Sequence, residues 1–125
     1  MAYKPSGYTS VAPYLIVTDA EVALRFIEQT FAGQRLLITP REDGHSLHAE
    51  IRIDDTVVMM GEFPNAGPSK VHVYVPDVDA TFARAVAAGG VIIHELTEQG
   101  DGNRRGGVKD PSGTVWWVST QLSRR

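Results

Sequence analysis

Apolar positions along the chain switch repeatedly between a period of two and a helical period, and the switches divide it into short elements. Val11 to Val17 is an apolar, β-prone run that reads as a first strand. Asp19 then stands where an N-cap belongs, and Ala23, Phe26, Ile27, Thr30 and Phe31 recur with helical spacing over Ala20 to Ala32. Gly33 is placed to stop that helix. Arg35 to Pro40 reads as a strand and Arg41-Glu42-Asp43-Gly44 as a hairpin turn. Leu47 to Ile53 alternates strictly, with Leu47, Ala49, Ile51 and Ile53 on one face and His48, Glu50 and Arg52 on the other. Asp54-Asp55 turns the chain into a fourth strand, Thr56 to Gly61.

After a stretch rich in Pro and Gly, about 63–69, the pattern starts again. Lys70 to Val75 reads as a strand, and Asp77 and Asp79 are available to cap a helix through Ala88. Gly89-Gly90 stops it, Val91 to Leu96 is a strand, Thr97 to Asn103 a loop, and Arg105 to Lys109 a strand. Asp110-Pro111-Ser112-Gly113 has turn chemistry, and Thr114 to Thr120 is a β-branched and aromatic last strand. Each half reads β-α-β-β-β. The same sequence separation divides Asp19 from Asp77 and Thr56 from Thr114, so the two halves form an internal repeat. Trp116 and Trp117, adjacent on a strand, point to opposite faces. Trp116 is expected in the core under the second helix, matched by Val58 in the first half; Trp117 faces the other way.

Composition narrows the class. The chain of 125 residues suits a single domain, with one module at about 8–62 and another at about 70–122. A hydrophobic content of 42% and a charged content of 22% describe a soluble globular protein. The net charge of −3 provides no electrostatic footprint for nucleic acid or an anionic membrane. No apolar run is long enough to span a bilayer and the N-terminus lacks a signal-peptide core, so a cytoplasmic location is expected. With no cysteine there is no disulfide, thiolate ligand or thiol nucleophile.

The segments Pro13-Tyr14-Leu15-Ile16-Val17-Thr18-Asp19-Ala20, His48-Ala49-Glu50-Ile51-Arg52-Ile53, Val73-Tyr74-Val75-Pro76-Asp77-Val78-Asp79-Ala80 and Arg104-Arg105-Gly106-Gly107-Val108-Lys109-Asp110-Pro111 resemble those of the vicinal oxygen chelate superfamily. That superfamily includes glyoxalase I, bleomycin-resistance proteins, fosfomycin-resistance enzymes and extradiol dioxygenases; the chain looks most like its small PhnB-like group. The resemblance implies an α+β fold of two βαβββ modules, curved mixed sheets around a cavity with helices on the outer face, and a homodimer. It says little about activity, because this fold hosts many chemistries.

Metal-using members carry His, Gln or Glu on the first and fourth strands of each module. The positions that match in the second module are Lys70 and Trp117, and the repeat carries them to Ala12 and Met59 in the first. None of these four offers an imidazole or carboxylate, and an ammonium repels a cation, so neither a metal nor another cofactor is expected. Strand parity gathers Tyr14, Met59, His72, Tyr74 and Trp117 on the cavity side, with His48, Glu50 and Lys70 beside them. These eight are the candidate ligand-binding residues, and no catalytic residue is assigned.

The function expected is metal-independent binding of a small molecule, planar aromatic or cationic, with Glu50, His48 and Lys70 setting charge selectivity. Two alternatives stand beside it. One is a lyase- or dioxygenase-type enzyme with a rearranged metal site of His48, Glu50 and His72. The other is a structural or interaction module whose cavity is plugged by Trp117 and Met59. For Glu50, balance by Arg52 or Lys70 is the ordinary expectation; Arg104-Arg105 before Gly106-Gly107 could meet a phosphate or carboxylate, a charged, solvated loop being the ordinary reading. His94 is expected in solvent on an outer strand.

Overall fold

The computed structural model describes residues 3–40, 47–65, 67–98 and 100–122. The hairpin turn expected at Arg41-Glu42-Asp43-Gly44 lies outside the described residues. The elements run β1 (Tyr14–Val17), α1 (Ala20–Phe31), β2 (Gln34–Pro40), β3 (Leu47–Ile53), β4 (Thr56–Glu62), β5 (Lys70–Tyr74), α2 (Val78–Ala87), β6 (Val91–Glu98), β7 (Asn103–Lys109) and β8 (Val115–Gln121). They build two four-stranded sheets, ordered β1-β4-β3-β2 and β5-β8-β7-β6. In each sheet the strand before the helix pairs parallel with the last strand of its module, and the remaining pairs are antiparallel. This is the βαβββ order of the sequence repeat, formed twice. Among the described residues no helix is long and apolar enough to cross a membrane.

Local chemistry starts and stops the helices. The Asp19 carboxylate accepts from the Val22 N–H at 3.1 Å and that of Asp77 from the Ala80 N–H at 3.2 Å, satisfying donors that each first turn leaves unpaired. At the end of α1 the left-handed residue is Ala32, with φ 54°, and not Gly33. Gly33 is needed for closeness: a Cβ there would lie 2.7 Å from Ile27 Cγ2. Gly90 is tighter still. A Cβ there would collide with Val108 Cγ1 and lie 2.8 Å from the Ala85 carbonyl oxygen, a backbone atom that cannot rotate away. Gly90→Ala is therefore expected to lower stability by about 1–3 kcal/mol, the usual range for overpacking. Gly67→Ala, where nothing lies within 4 Å, should leave the urea midpoint in place.

One core joins the two modules. Phe26, Leu24, Ile27, Ile51 and Met60 of the first half and Val108, Trp116 and Val118 of the second belong to a single cluster of buried side chains. Trp116 is buried as expected, but its aromatic partners are on the first helix, not the second. Its ring centre lies 6.3 Å from that of Phe26 and 5.1 Å from that of Phe31. Its indole N–H donates to Asp110 Oδ2 at 2.7 Å. The other carboxylate oxygen of Asp110 accepts from Ser112 N, Ser112 Oγ and Thr114 N, so one buried side chain ties the turn to the core. Gly113 completes the turn at φ 100° and donates its N–H to the Asp110 carbonyl.

Each helix packs on its own sheet, and α1 also packs on α2. The helix-bearing faces therefore share the core, and among the described residues the opposite face of each sheet has no helix over it. Those two helix-free faces hold all the candidate residues.

Candidate functional site

On the first sheet, β-pairing sets Tyr14 beside Met59 and Met59 beside Glu50, in one row across the helix-free face. Ala49 and Ile51, the alternate residues of β3, are fully buried toward α1, which forces His48, Glu50 and Arg52 to the other side. Glu50 is only 7% exposed despite its charge. Its partners are His48 and Tyr8, not Arg52 or Lys70. His48 Nε2 lies 2.8 Å from Glu50 Oε2, and the Tyr8 hydroxyl donates to Oε1. Burial alone raises a carboxyl pKa, but here the hydrogen bonds from His48 and Tyr8 outweigh it and hold Glu50 below the usual carboxylate range. The same bond, with burial behind it, pushes the Tyr8 phenol up. Since the carboxylate only accepts, His48 donates through Nε2, and Nδ1 faces the Tyr14 hydroxyl at 3.4 Å. Arg52 instead donates to the Gly7 carbonyl at 2.8 Å. Together Tyr8 and Gly7 lay the N-terminal segment against this face.

The second sheet repeats the row with different residues. His72 pairs with Trp117, Trp117 with Gly107, and Gly107 with His94. Trp117 thus matches Met59, and Gly107 takes the place that Glu50 holds in the first module. The missing side chain makes room for the indole: a Cβ on Gly107 would lie 2.8 Å from Trp117 Cζ3 and 3.0 Å from Ile93 Cγ1. His94 is exposed on the outer strand β6 as expected, with its ring centre 5.7 Å from that of Trp117. His72 stands edge-on to Tyr74 at 4.6 Å. In the next row the Ser119 hydroxyl, fully buried, lies 2.9 Å from His72 Nε2 and accepts from Arg105 Nε at 2.9 Å. A neutral His72 can accept the Ser119 proton at Nε2 while that hydroxyl accepts from Arg105. Burial, and after it the Arg105 charge, push the His72 pKa down in agreement. Arg104 and Arg105 are not a solvated loop: both are in β7, with Arg104 on Asp79 and Arg105 on Ser119 and Asp101.

The eight candidates thus divide into two groups, each on its own sheet. Tyr14, His48, Glu50 and Met59 form the first, and Lys70, His72, Tyr74 and Trp117 the second. A cleft of about 350 Å³ runs between the modules, lined by Pro13, Ile53, Val58, Val71, His72 and Tyr74 among others. It touches neither Trp117 nor Glu50, so it does not join the groups. Tyr8, Arg105, Ser119 and Gly107 complete the two faces. Tyr8 precedes the first strand and carried no signal in the sequence; strand parity puts Ser119 on the face of Trp117, as the register shows, and Gly107 could have been found the same way.

A divalent cation of the kind used by the metal-dependent relatives does not fit these residues. Met59, Lys70 and Trp117 supply a thioether, an ammonium and an indole, and Ala12 supplies nothing. The rearranged set is divided as well, because His48 and Glu50 meet on one sheet while His72 bonds Ser119 on the other. Among the described residues no three His, Cys, Asp or Glu side chains are grouped to hold an ion.

Comparison with known proteins places this geometry among relatives. The model of the Glyoxalase/Bleomycin resistance protein/Dioxygenase superfamily matches residues 8–118. An uncharacterised protein of Mycobacterium bovis is 34% identical over 121 residues, covering 86% of this chain and 80% of its own. The crystal structure of TioX from Micromonospora sp. ML1 superposes with a TM-score of 0.74 at 26% identity, covering 91% of this chain and 99% of that one. The fosfomycin resistance protein FosX from Listeria monocytogenes superposes with a TM-score of 0.72 at 15% identity, covering 94% of each chain, a likeness of fold alone.

Proposed function

The chain belongs to the glyoxalase/bleomycin resistance protein/dioxygenase superfamily, and from that premise we propose that it is a metal-independent small-molecule-binding protein. Its ligand is a planar aromatic compound that stacks on the helix-free face of the second sheet. The observation that carries this reading is Trp117. It stands where metal-using relatives keep a carboxylate, lies over the bare backbone of Gly107, and keeps His94 and the His72–Tyr74 pair around it. Tyr74 is 60% exposed, so this face presents aromatic surface to a partner. Ring-on-ring contact is worth about 0.5–1.5 kcal/mol beyond the area removed from water.

The test is a fluorescence titration with neutral, anionic and cationic planar aromatics. Trp116 is buried and supplies a constant background, so a ligand on this face should alter the Trp117 emission alone. If no compound of the panel alters it, the binding reading is lost. The family model names bleomycin resistance proteins, and sequestration of an aromatic compound is a fitting role for this chain.

The protein works as a homodimer on this reading. The outer strands β2 and β6 present Leu37, Ile38, Val91, Ile92 and Ile93, each more than a third exposed, along sheet edges that invite pairing. A second copy covers them and brings open faces together. Sedimentation should show a dimer at tens of micromolar, and Ile38→Lys should shift it toward monomer. A wild-type protein that sediments as a monomer would sink this part.

An enzymatic reading has one observation in its favour, the Tyr8–Glu50–His48–Tyr14 sequence of contacts. A carboxylate that orients a histidine beside a hydroxyl is equipped for proton transfer without a metal. It does not need His72.

A further inference from the structure

We infer that the ligand seated against Trp117 is an anion, a planar aromatic carrying a carboxylate, held by Lys70, Lys109 and Arg105. This rests on the binding reading above and reverses the charge that Glu50 suggested. Glu50 cannot select a cation, because its two oxygens are engaged by Tyr8 and His48 and the side chain is nearly closed to solvent. Its charge is spent inside the first sheet.

The second sheet is charged the other way. The register sets Lys70, Val115 and Lys109 in one row across the helix-free face, and His72, Trp117 and Gly107 in the next. Tyr74, Ser119 and Arg105 make the third. Cations therefore flank the indole on both sides, and no carboxylate occupies these rows. Asp101, before β7, reaches Arg105 Nη2 at 3.1 Å, and Glu95 sits in the bulged stretch of β6. Arg105 is held by Ser119 Oγ at Nε, which fixes the guanidinium beside the Trp117 row at little further entropic cost. His72 stands in the row of Trp117 with its Nε2 on the Ser119 hydroxyl. An aromatic ring on Trp117 with a carboxylate at its edge meets stacking and cations at once. A cationic ring would meet the like charges of Lys70 and Lys109, while the charge of Arg105 is shared with Asp101.

Three naphthalenes separate the outcomes by isothermal titration calorimetry: 2-naphthoate, 2-naphthalenemethanol and 2-naphthylmethylammonium. Wild type should bind the carboxylate at least tenfold more tightly than the alcohol, and the ammonium most weakly. Lys70→Gln with Lys109→Gln, both at exposed positions, should erase most of that preference while the thermal midpoint stays in place. Arg105→Gln should do the same, and the lysine pair decides the matter if that variant unfolds. Equal binding of all three, or tighter binding of the ammonium, overturns the inference and leaves the stacking site standing. Binding of none by a folded wild type overturns the stacking site and this inference together.

Discussion

Asp110→Ala is expected to destabilise the protein by about 3–5 kcal/mol, one of the largest single-residue effects in the chain. The carboxylate is 4% exposed and accepts from two backbone N–H groups, a hydroxyl and the Trp116 indole. Alanine removes every acceptor at once, and each buried donor left without one costs about 1–3 kcal/mol, less where water can enter. The turn also loses the side chain that shapes it, and Trp116 loses the anchor that holds its ring against Phe26 and Phe31. Asp110→Asn keeps one acceptor oxygen and should lose roughly half as much. Urea denaturation followed by far-ultraviolet circular dichroism measures both. A loss below about 1 kcal/mol for the alanine variant would show that the network contributes little net stability.

The adjacent tryptophans should respond in opposite ways to the same substitution. Trp116→Ala removes a fully buried ring from the centre of the shared core and should cost about 3–5 kcal/mol of stability. Trp117→Ala removes a ring from the helix-free face and should cost much less. Its effect falls on binding instead: a central aromatic anchor is commonly worth about 2 kcal/mol or more, so affinity for a planar aromatic should fall at least thirtyfold. Calorimetry on the folded variant reads the affinity, and thermal melts of both variants read the stability. A Trp117→Ala protein that fails to fold would assign the ring to the core, and with it the plugged-cavity alternative. One that folds and still binds would remove the stacking site.

Much of the fold was legible because its signals are local. The N-cap aspartates Asp19 and Asp77, the alternation of Leu47 to Ile53 and the turn at Asp110 to Gly113 each lie within a few residues, and each formed where expected. Gly33 was misread for an instructive reason. A glycine after a helix commonly supplies a left-handed residue, but Ala32 does so here, and Gly33 answers to Ile27 and Ile51 instead. Closeness to another element leaves no mark on the local pattern.

The site was less legible, for the same reason. Parity put His48 and Glu50 on one face and His72 and Trp117 on one face, and both statements agree with the register. Parity could not say that the faces belong to different sheets of a chain whose helix-bearing sides share a core. Nor could it supply Glu50 with its partner: Tyr8 precedes the first strand, and it reaches Glu50 from a segment that Arg52 also holds at Gly7.

From the sequence alone came the two βαβββ modules and, by resemblance, the family and the expectation that Ala12, Met59, Lys70 and Trp117 stand at the usual metal-ligand places. These depend on residue type and on spacing along the chain, which are complete before folding. The tertiary structure decided which charges remain available to a ligand. Glu50 is closed off by hydrogen bonds within its own sheet, while Lys70 and Lys109 stand exposed in the row beside Trp117, because hydrogen bonds and burial act across space between residues that sequence order keeps far apart.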